Sequence, residues 1–196
     1  MSHRVTELYS IMPIRNIPSV MQHGILSHER ASELPHSDIS LSDVQDKRDL
    51  KAVPGGLKLH QYANLYFCAR NPMMFKRNSQ SDNLCVLRVS TQILNAANVV
   101  LTDRNAASNY VKFYPSPMGL HHIDFDLVFA RYWAHPEDQI TEWRHKSIKC
   151  AEVLVPYCIA FDYIESAYVA NSTAETNLQN IGFNKLIAIN SDMFFV

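Results

Sequence analysis

The chain has 196 residues, 47% of them hydrophobic and 19% charged. That suffices for an ordinary domain with a real core and no covalent staples, and residues 1–196 read as a single domain. Eighteen Lys and Arg against nineteen Asp and Glu leave a formal net charge of −1, which excludes wrapping of duplex DNA through many phosphate contacts but permits a short single strand held by a few local cations and aromatic rings.

The first third reads as helix and loop. A short helix is predicted over 17–23, stopped by Gly24. Residues 28–40 (HERASELPHSDIS) are polar and irregular. Ser40 or Ser42 suits the N-cap of a helix from 41 to about 52, which Pro54-Gly55-Gly56 ends. Lys47, Arg48 and Lys51 then fall in its last turns, where cations face the negative helix end. Farther on, β-branched and aromatic runs predict strands at 64–70 (NLYFCAR), 84–89 (LCVLRV), 99–103 (VVLTD), 151–156 (AEVLVP), 159–165 (IAFDYIE) and 185–189 (KLIAI). Helices are expected at 91–97, 105–110, 127–134 and 174–179. Helices early and strands later indicate an α/β (α+β) domain with a mixed sheet. The segment 114–149, rich in His, Trp and charge, reads as a functional insertion.

The opening MSHRVTELYS has no apolar signal-peptide core, and no run of about 18 apolar residues suggests a membrane span. The four cysteines, at 68, 85, 150 and 158, form no CxxC pair. Free thiols fit a reducing cytoplasm better than a disulfide scaffold. Glycine is scarce, at five residues, and neither of the two common glycine-built phosphate cradles is present.

Several constellations have both a chemical and a structural reading. His121-His122-x-Asp124-x-Asp126 has metal-ligand residue types, but no HExxH and no second cluster accompanies it, and a solvated loop is the simpler reading. Lys76-Arg77 and Arg144-His145-Lys146-Ile148-Lys149 are basic runs, the second flanked by Trp133 and Trp143. They suit a single strand or a solvated helix face. Glu152 opens an apolar strand, where a carboxylate is costly unless paired; it is either a salt-bridged edge residue or a carboxylate in a cleft. Arg48 either satisfies helix carbonyls or binds an anion, and Tyr66 and Phe67 are either core or contact residues.

Five blocks in order resemble the DarT family, bacterial toxins that ADP-ribosylate a base in single-stranded DNA. They are LYSIMPIRNIPSVMQHGIL, DVQDKRDLKAVP, LHQYANLYFCARNPMMF, VVLTDRNA and AEVLVP. The resemblance implies an ADP-ribosyltransferase-like fold, a split and mostly antiparallel sheet with flanking helices. It implies NAD+ as co-substrate in the central cleft, and no metal. Glu152 would be the catalytic glutamate and Arg48 the helix arginine facing NAD+ and the base. Ser10, Met12, Asn16, Tyr66 and the 71–73 turn with Met73 would shape the NAD+ pocket. Asn105 would lie near the acceptor, and the segment before Glu152 would read the DNA. Phosphate contacts are assigned to Lys76, Arg77, Arg144, Lys146 and Lys149, and stacking to Tyr132 or Trp133.

Three positions depart from the family pattern. Ser10 and Asn105 stand where the family often has His, and Met12 where it has Thr. The change at 105 leaves both thymine and guanine open as the modified base. The expected partner is a macrodomain-type or other ADP-ribosylglycohydrolase antitoxin. A related transferase acting on RNA or protein, and a silent nucleic-acid-binding module, are the alternatives.

Overall fold

The computed structural model describes residues 4–37 and 42–196. In chain order the elements are β1 (Leu8–Pro13), α1 (Ile17–His23), β2 (Ile25–Leu26), α2 (His28–Ala31), α3 (Ser42–Asp49), β3 (Tyr62–Tyr66) and α4 (Pro72–Lys76). There follow β4 (Leu84–Val89), β5 (Val100–Thr102), β6 (Phe113–Pro115), α5 (Phe125–Phe129), α6 (Gln139–Lys149) and β7 (Glu152–Pro156). The chain closes with β8 (Cys158–Ile159), β9 (Ile164–Val169), α7 (Ser172–Asn180) and β10 (Leu186–Ile189).

Eight strands form one sheet in the order β10-β9-β4-β1-β3-β7-β5-β6. Every pairing in it is antiparallel except that of β9 with β10. Between β1 and β3 the ladder shrinks to one pair, Tyr9 opposite Tyr66. To either side it is full: β1 runs along β4 from Leu8–Val89 to Pro13–Leu84, and β3 along β7 from Tyr62–Pro156 to Tyr66–Glu152. The sheet therefore parts between β1 and β3, as the resemblance implies.

Alternation along the strands divides the core between the two faces, because successive side chains point opposite ways. Leu8, Leu87, Val89, Val153 and Val155 belong to one buried cluster with Ile17 and Val20 of α1 and Leu178 of α7. Ile11, Leu84 and Val86 belong to another, with Met74 of α4 and Phe194. Each fully buried aliphatic contributes roughly 1.5–3 kcal/mol relative to exposure. A small second sheet pairs β2 with β8, Ile25 opposite Ile159. Gly24 makes that approach feasible: its φ is 77°, and a Cβ there would meet the Ile159 carbonyl oxygen at 2.3 Å.

Expected elements at 17–23 and 84–89 match α1 and β4. Others shift for local reasons. The run 64–70 leaves the sheet at Tyr66 because Asn71 turns the chain. Its side chain accepts from the Met74 N–H and donates to the Cys68 carbonyl. No helix forms over 105–110: Asn105 Oδ1 takes the Ala107 N–H, and Lys51 takes the Ala107 and Ser108 carbonyls. The 91–97 helix is a 3-10 turn over Thr91–Asn95, the 127–134 helix lies at Phe125–Phe129, and 159–165 divides among β8, a 3-10 turn and β9. The order of helices early and strands later is corrected as well, since β1 is an early strand and central to the sheet. Of the two capping serines, Ser40 lies outside the described residues, as does the side chain of Ser42, and α3 ends at Asp49.

The segment 114–149 is part of the fold rather than an insertion upon it. It carries α5 and α6, and α6 leads directly into β7. Asp138 caps α6, accepting from the Ile140 and Thr141 N–H groups. The phosphate role expected for Lys149 does not hold, because only 1% of the residue is exposed. Its ammonium donates to the Val128 carbonyl at 2.9 Å and the Ala130 carbonyl at 2.8 Å, tying α6 to the end of α5. Burial pushes its pKa down. Lys149→Met strands those two carbonyls and is expected to cost about 2–4 kcal/mol in urea unfolding. Arg144→Met, at an exposed site of the same helix, should stay within about 0.5 kcal/mol.

Candidate active site

The parting of the sheet opens onto a cavity of about 460 Å³, within the usual range for small-molecule sites. Ser10 to Pro13 line one side, Asn64 and Tyr66 the other, and α1, α2, α3, α4 and α6 together with β2 contribute to the remainder. No Asp or Glu is among the described lining residues, whereas Arg48, Lys76, Lys146, His28 and His36 are. The hollow therefore favours an anionic guest.

Glu152 lies one contact behind this wall. Its side chain is 1% exposed, and that of Arg48 is 8% exposed. Arg48 Nη1 donates to both carboxylate oxygens, at 3.0 and 3.3 Å. The Ala106 backbone N–H donates to Oε1 at 3.0 Å. The backbone of Glu152 is fixed as well: its N–H donates to the Thr102 hydroxyl, which in turn donates to the Arg104 carbonyl. The carboxylate is thus gripped by a cation and an amide. Arg48 belongs to both the pair and the cavity wall.

Neighbouring groups suit a site without a thiol or phenolate nucleophile. Burial, and next the charge of Glu152, push the Tyr66 hydroxyl well above its ordinary range, so it remains a donor. The Cys150 thiol, which lines the cavity, is pushed up to about 12, by burial first and then by Glu152. A thiol held protonated is not a nucleophile at neutral pH. His60 Nε2 donates to Gln45 Oε1 at 2.9 Å. Its pKa is lowered, by burial first and then by the charges of His28 and Arg48.

Two asparagines shape the wall by holding backbone. Asn16 pairs with Ser37 through both ends of its amide, donating to the carbonyl at 2.8 Å and accepting from the N–H at 2.9 Å. Asn71 caps α4, which presents Pro72, Met73 and Lys76 to the cavity. Beyond the wall, Lys51 holds the 106–108 turn by donating to the Ala107 carbonyl at 2.9 Å and to that of Ser108. The Lys51 pKa is lowered by burial and, after it, by Lys47.

The structure gathers Ser10, Met12, Asn16, Arg48, Tyr66, Met73, Lys76, Asn105 and Lys146 around one hollow. Lys146 also pairs with Glu142 at 2.6 Å. Arg77, Tyr132, Trp133, Arg144 and Lys149 are not among the lining residues. Trp133 packs edge-on against Phe75 and Phe195, while Tyr132 is 72% exposed. The 121–126 cluster is occupied with structural work. His122 stacks on Tyr114, Asp124 caps α5, and Asp126 pairs with Arg4. Sequence reasoning missed the Ala106 amide, which has no side-chain signature, and Lys51, visible only as a helix-end cation.

A family model described as "ssDNA thymidine ADP-ribosyltransferase, DarT" matches residues 9–195. The chain is 30% identical over 202 residues to a DNA ADP-ribosyl transferase-DNA ADP-ribosyl glycohydrolase fusion protein of Thermosipho africanus, covering 98% of this chain and 50% of that protein. It thus spans about half the length of that relative. It is 28% identical to a DNA ADP-ribosyl transferase of Thermus aquaticus, covering 90% of this chain and 80% of the other. Thermosipho africanus DarTG in complex with ADP-ribose has a TM-score of 0.84 and 28% identity, over 97% of this chain and 51% of that one. Thermus sp. 2.9 DarT in complex with ADP-ribosylated ssDNA has a TM-score of 0.83 at 24% identity, over 97% and 96%, a likeness of fold. The extent of the match, nearly end to end, places the chain in the DarT family.

Proposed function

We propose that the chain transfers ADP-ribose from NAD+ to a nucleobase, thymine or guanine, in single-stranded DNA, releasing nicotinamide. The observation that carries the reading is the Arg48-held carboxylate of Glu152 directly behind a cavity at the parting of the sheet whose described lining residues include no Asp or Glu.

The chemistry follows from charge. The bond between nicotinamide and ribose C1′ breaks, its electron pair leaves with nicotinamide, and positive charge develops on the ribose. A fixed negative group in a water-poor site stabilises that charge most where it develops, and Glu152 accepting from the ribose 2′-OH supplies it. A base nitrogen then forms the new bond to C1′ and loses a proton. Glu152 takes that proton, with Arg48 stabilising the negative charge that grows on the base. The NAD+ pyrophosphate lies among the cations of the cavity, with Arg48, Lys76 and Lys146 the candidates. Ser10, Met12, Asn16, Tyr66 and Met73 bound the same space. Edges of paired bases are closed to such a site, which favours a single strand.

Likeness to a fusion of a transferase with a DNA ADP-ribosyl glycohydrolase supports a toxin whose mark is removed by a glycohydrolase antitoxin. A cytoplasmic setting agrees with DNA as substrate. Among the described residues no helix is long and apolar enough to cross a membrane, and no group of His, Cys, Asp and Glu is placed to hold a metal.

Glu152→Gln should reduce DNA labelling at least about a hundredfold, with NAD+ affinity by calorimetry close to that of the parent; normal labelling by a folded variant would refute the assignment. Single-stranded oligonucleotides should be labelled far faster than the same sequences as duplex, and equal rates would refute the single-strand preference. Arg48→Ala leaves a buried carboxylate unpaired and should cost about 3–5 kcal/mol of stability. The double variant Arg48→Met, Glu152→Leu should recover most of that in thermal unfolding and remain inactive.

A further inference from the structure

The Glu152 carboxylate is gripped from two directions, and the two donors come from separate segments. Arg48 belongs to α3, whereas the Ala106 N–H belongs to a turn that is in no sheet. A guanidinium and an amide converge on one carboxylate only while those segments keep a fixed separation, because hydrogen bonds weaken steeply once misaligned. β7 fixes the backbone of Glu152 between β3 and β5, but its ladders do not set the spacing of the two donors.

Lys51 spans that gap. Its backbone N–H donates to the Arg48 carbonyl at 3.1 Å, and its own carbonyl accepts from the Leu59 N–H at 2.9 Å. The residue is thus fastened to the end of α3 that carries Arg48. From there its ammonium donates to the Ala107 carbonyl at 2.9 Å and to that of Ser108. The turn therefore offers carbonyls to Lys51 and an N–H to Glu152. Asn105 ties the turn together, accepting the Ala107 N–H on its side chain at 2.8 Å and the Ser108 N–H on its carbonyl at 2.9 Å. A shift of the Ala107 carbonyl is then carried to the neighbouring Ala106 amide. Lys51 is not among the residues that line the cavity, so its effect on transfer passes through the groups it holds.

We propose that Lys51 is a positioning residue for the transfer reaction. It sets the distance between the Arg48 guanidinium and the Ala106 N–H, and thereby the direction in which the Glu152 carboxylate meets the substrate. The proposal rests on Glu152 being the transfer centre.

The test uses the full chain, with NAD+ and a single-stranded oligonucleotide both at saturation. Lys51→Met nearly keeps the length of the side chain and removes the cation. It should lower kcat at least about tenfold, because small misplacements of a reacting group are costly. The KM for NAD+, and the affinity and stoichiometry of NAD+ binding in calorimetry, should stay at parental values. Lys51→Arg, whose planar fork can donate to both carbonyls, should recover most of the rate. Parental kcat in Lys51→Met would overturn the proposal, as would a Lys51→Arg variant no faster than Lys51→Met. A loss of rate matched by an equal loss of NAD+ stoichiometry would overturn it too, since partial unfolding alone then accounts for the effect. Glu152→Gln run in parallel separates the two ideas: normal labelling by it removes the transfer centre, whereas an inactive Glu152→Gln beside a fully active Lys51→Met removes only the role of Lys51.

Discussion

A carboxylate shut away from water beside a guanidinium is the constraint around which this molecule is arranged. Glu152 and Arg48 are 104 residues apart in sequence and both buried. Removing two charges from water is costly, and apolar residues of similar volume would often serve stability as well or better. The pair is therefore poorly explained as a fold-holding device. Its surroundings instead fix direction: β7 holds the Glu152 backbone opposite Tyr66, Thr102 takes its N–H, and Ala106 takes one oxygen. Few degrees of freedom are left to the side chain, which is what stabilisation of a developing charge requires, because the reorganisation is done before reaction begins.

The second requirement is space, and the sheet provides it by failing to close. β1 and β3 are neighbours in strand order but share one residue pair. A continuous ladder there would fill the hollow with backbone. Side-chain amides fix the segments around the hollow: Asn16 holds the Ser37 backbone, and Asn71 holds those of Cys68 and Met74.

Much of this was readable in the chain, unevenly. β4 was recognisable from LCVLRV because a strand buried on both faces is a continuous apolar run. Glu152 was legible as an oddity, a carboxylate opening an apolar strand, whereas Arg48 read as an ordinary helix-end cation that only the family blocks singled out. β1 was missed although it is central, since LYSIMP carries Ser10 and Pro13 where a strand pattern is sought. Lys149 was misassigned because a basic run at helical spacing looks solvated, and only the packing of α5 on α6 reveals that its ammonium faces carbonyls. The Ala106 amide had no letter by which to be found, and the 105–110 turn was mistaken for a helix because Lys51, far off in sequence, captures its carbonyls.

β7 is bonded on both flanks, by β3 and by β5, so the backbone beneath the Glu152 carboxylate is held from two sides. The 105–110 turn belongs to no sheet: Lys51 holds its Ala107 and Ser108 carbonyls, Ser147 accepts the Asn105 N–H, and Asn109 and Tyr110 are exposed at its end. A substitution at Asn109 or Tyr110 therefore changes exposed surface without disturbing the ladders that seat Glu152.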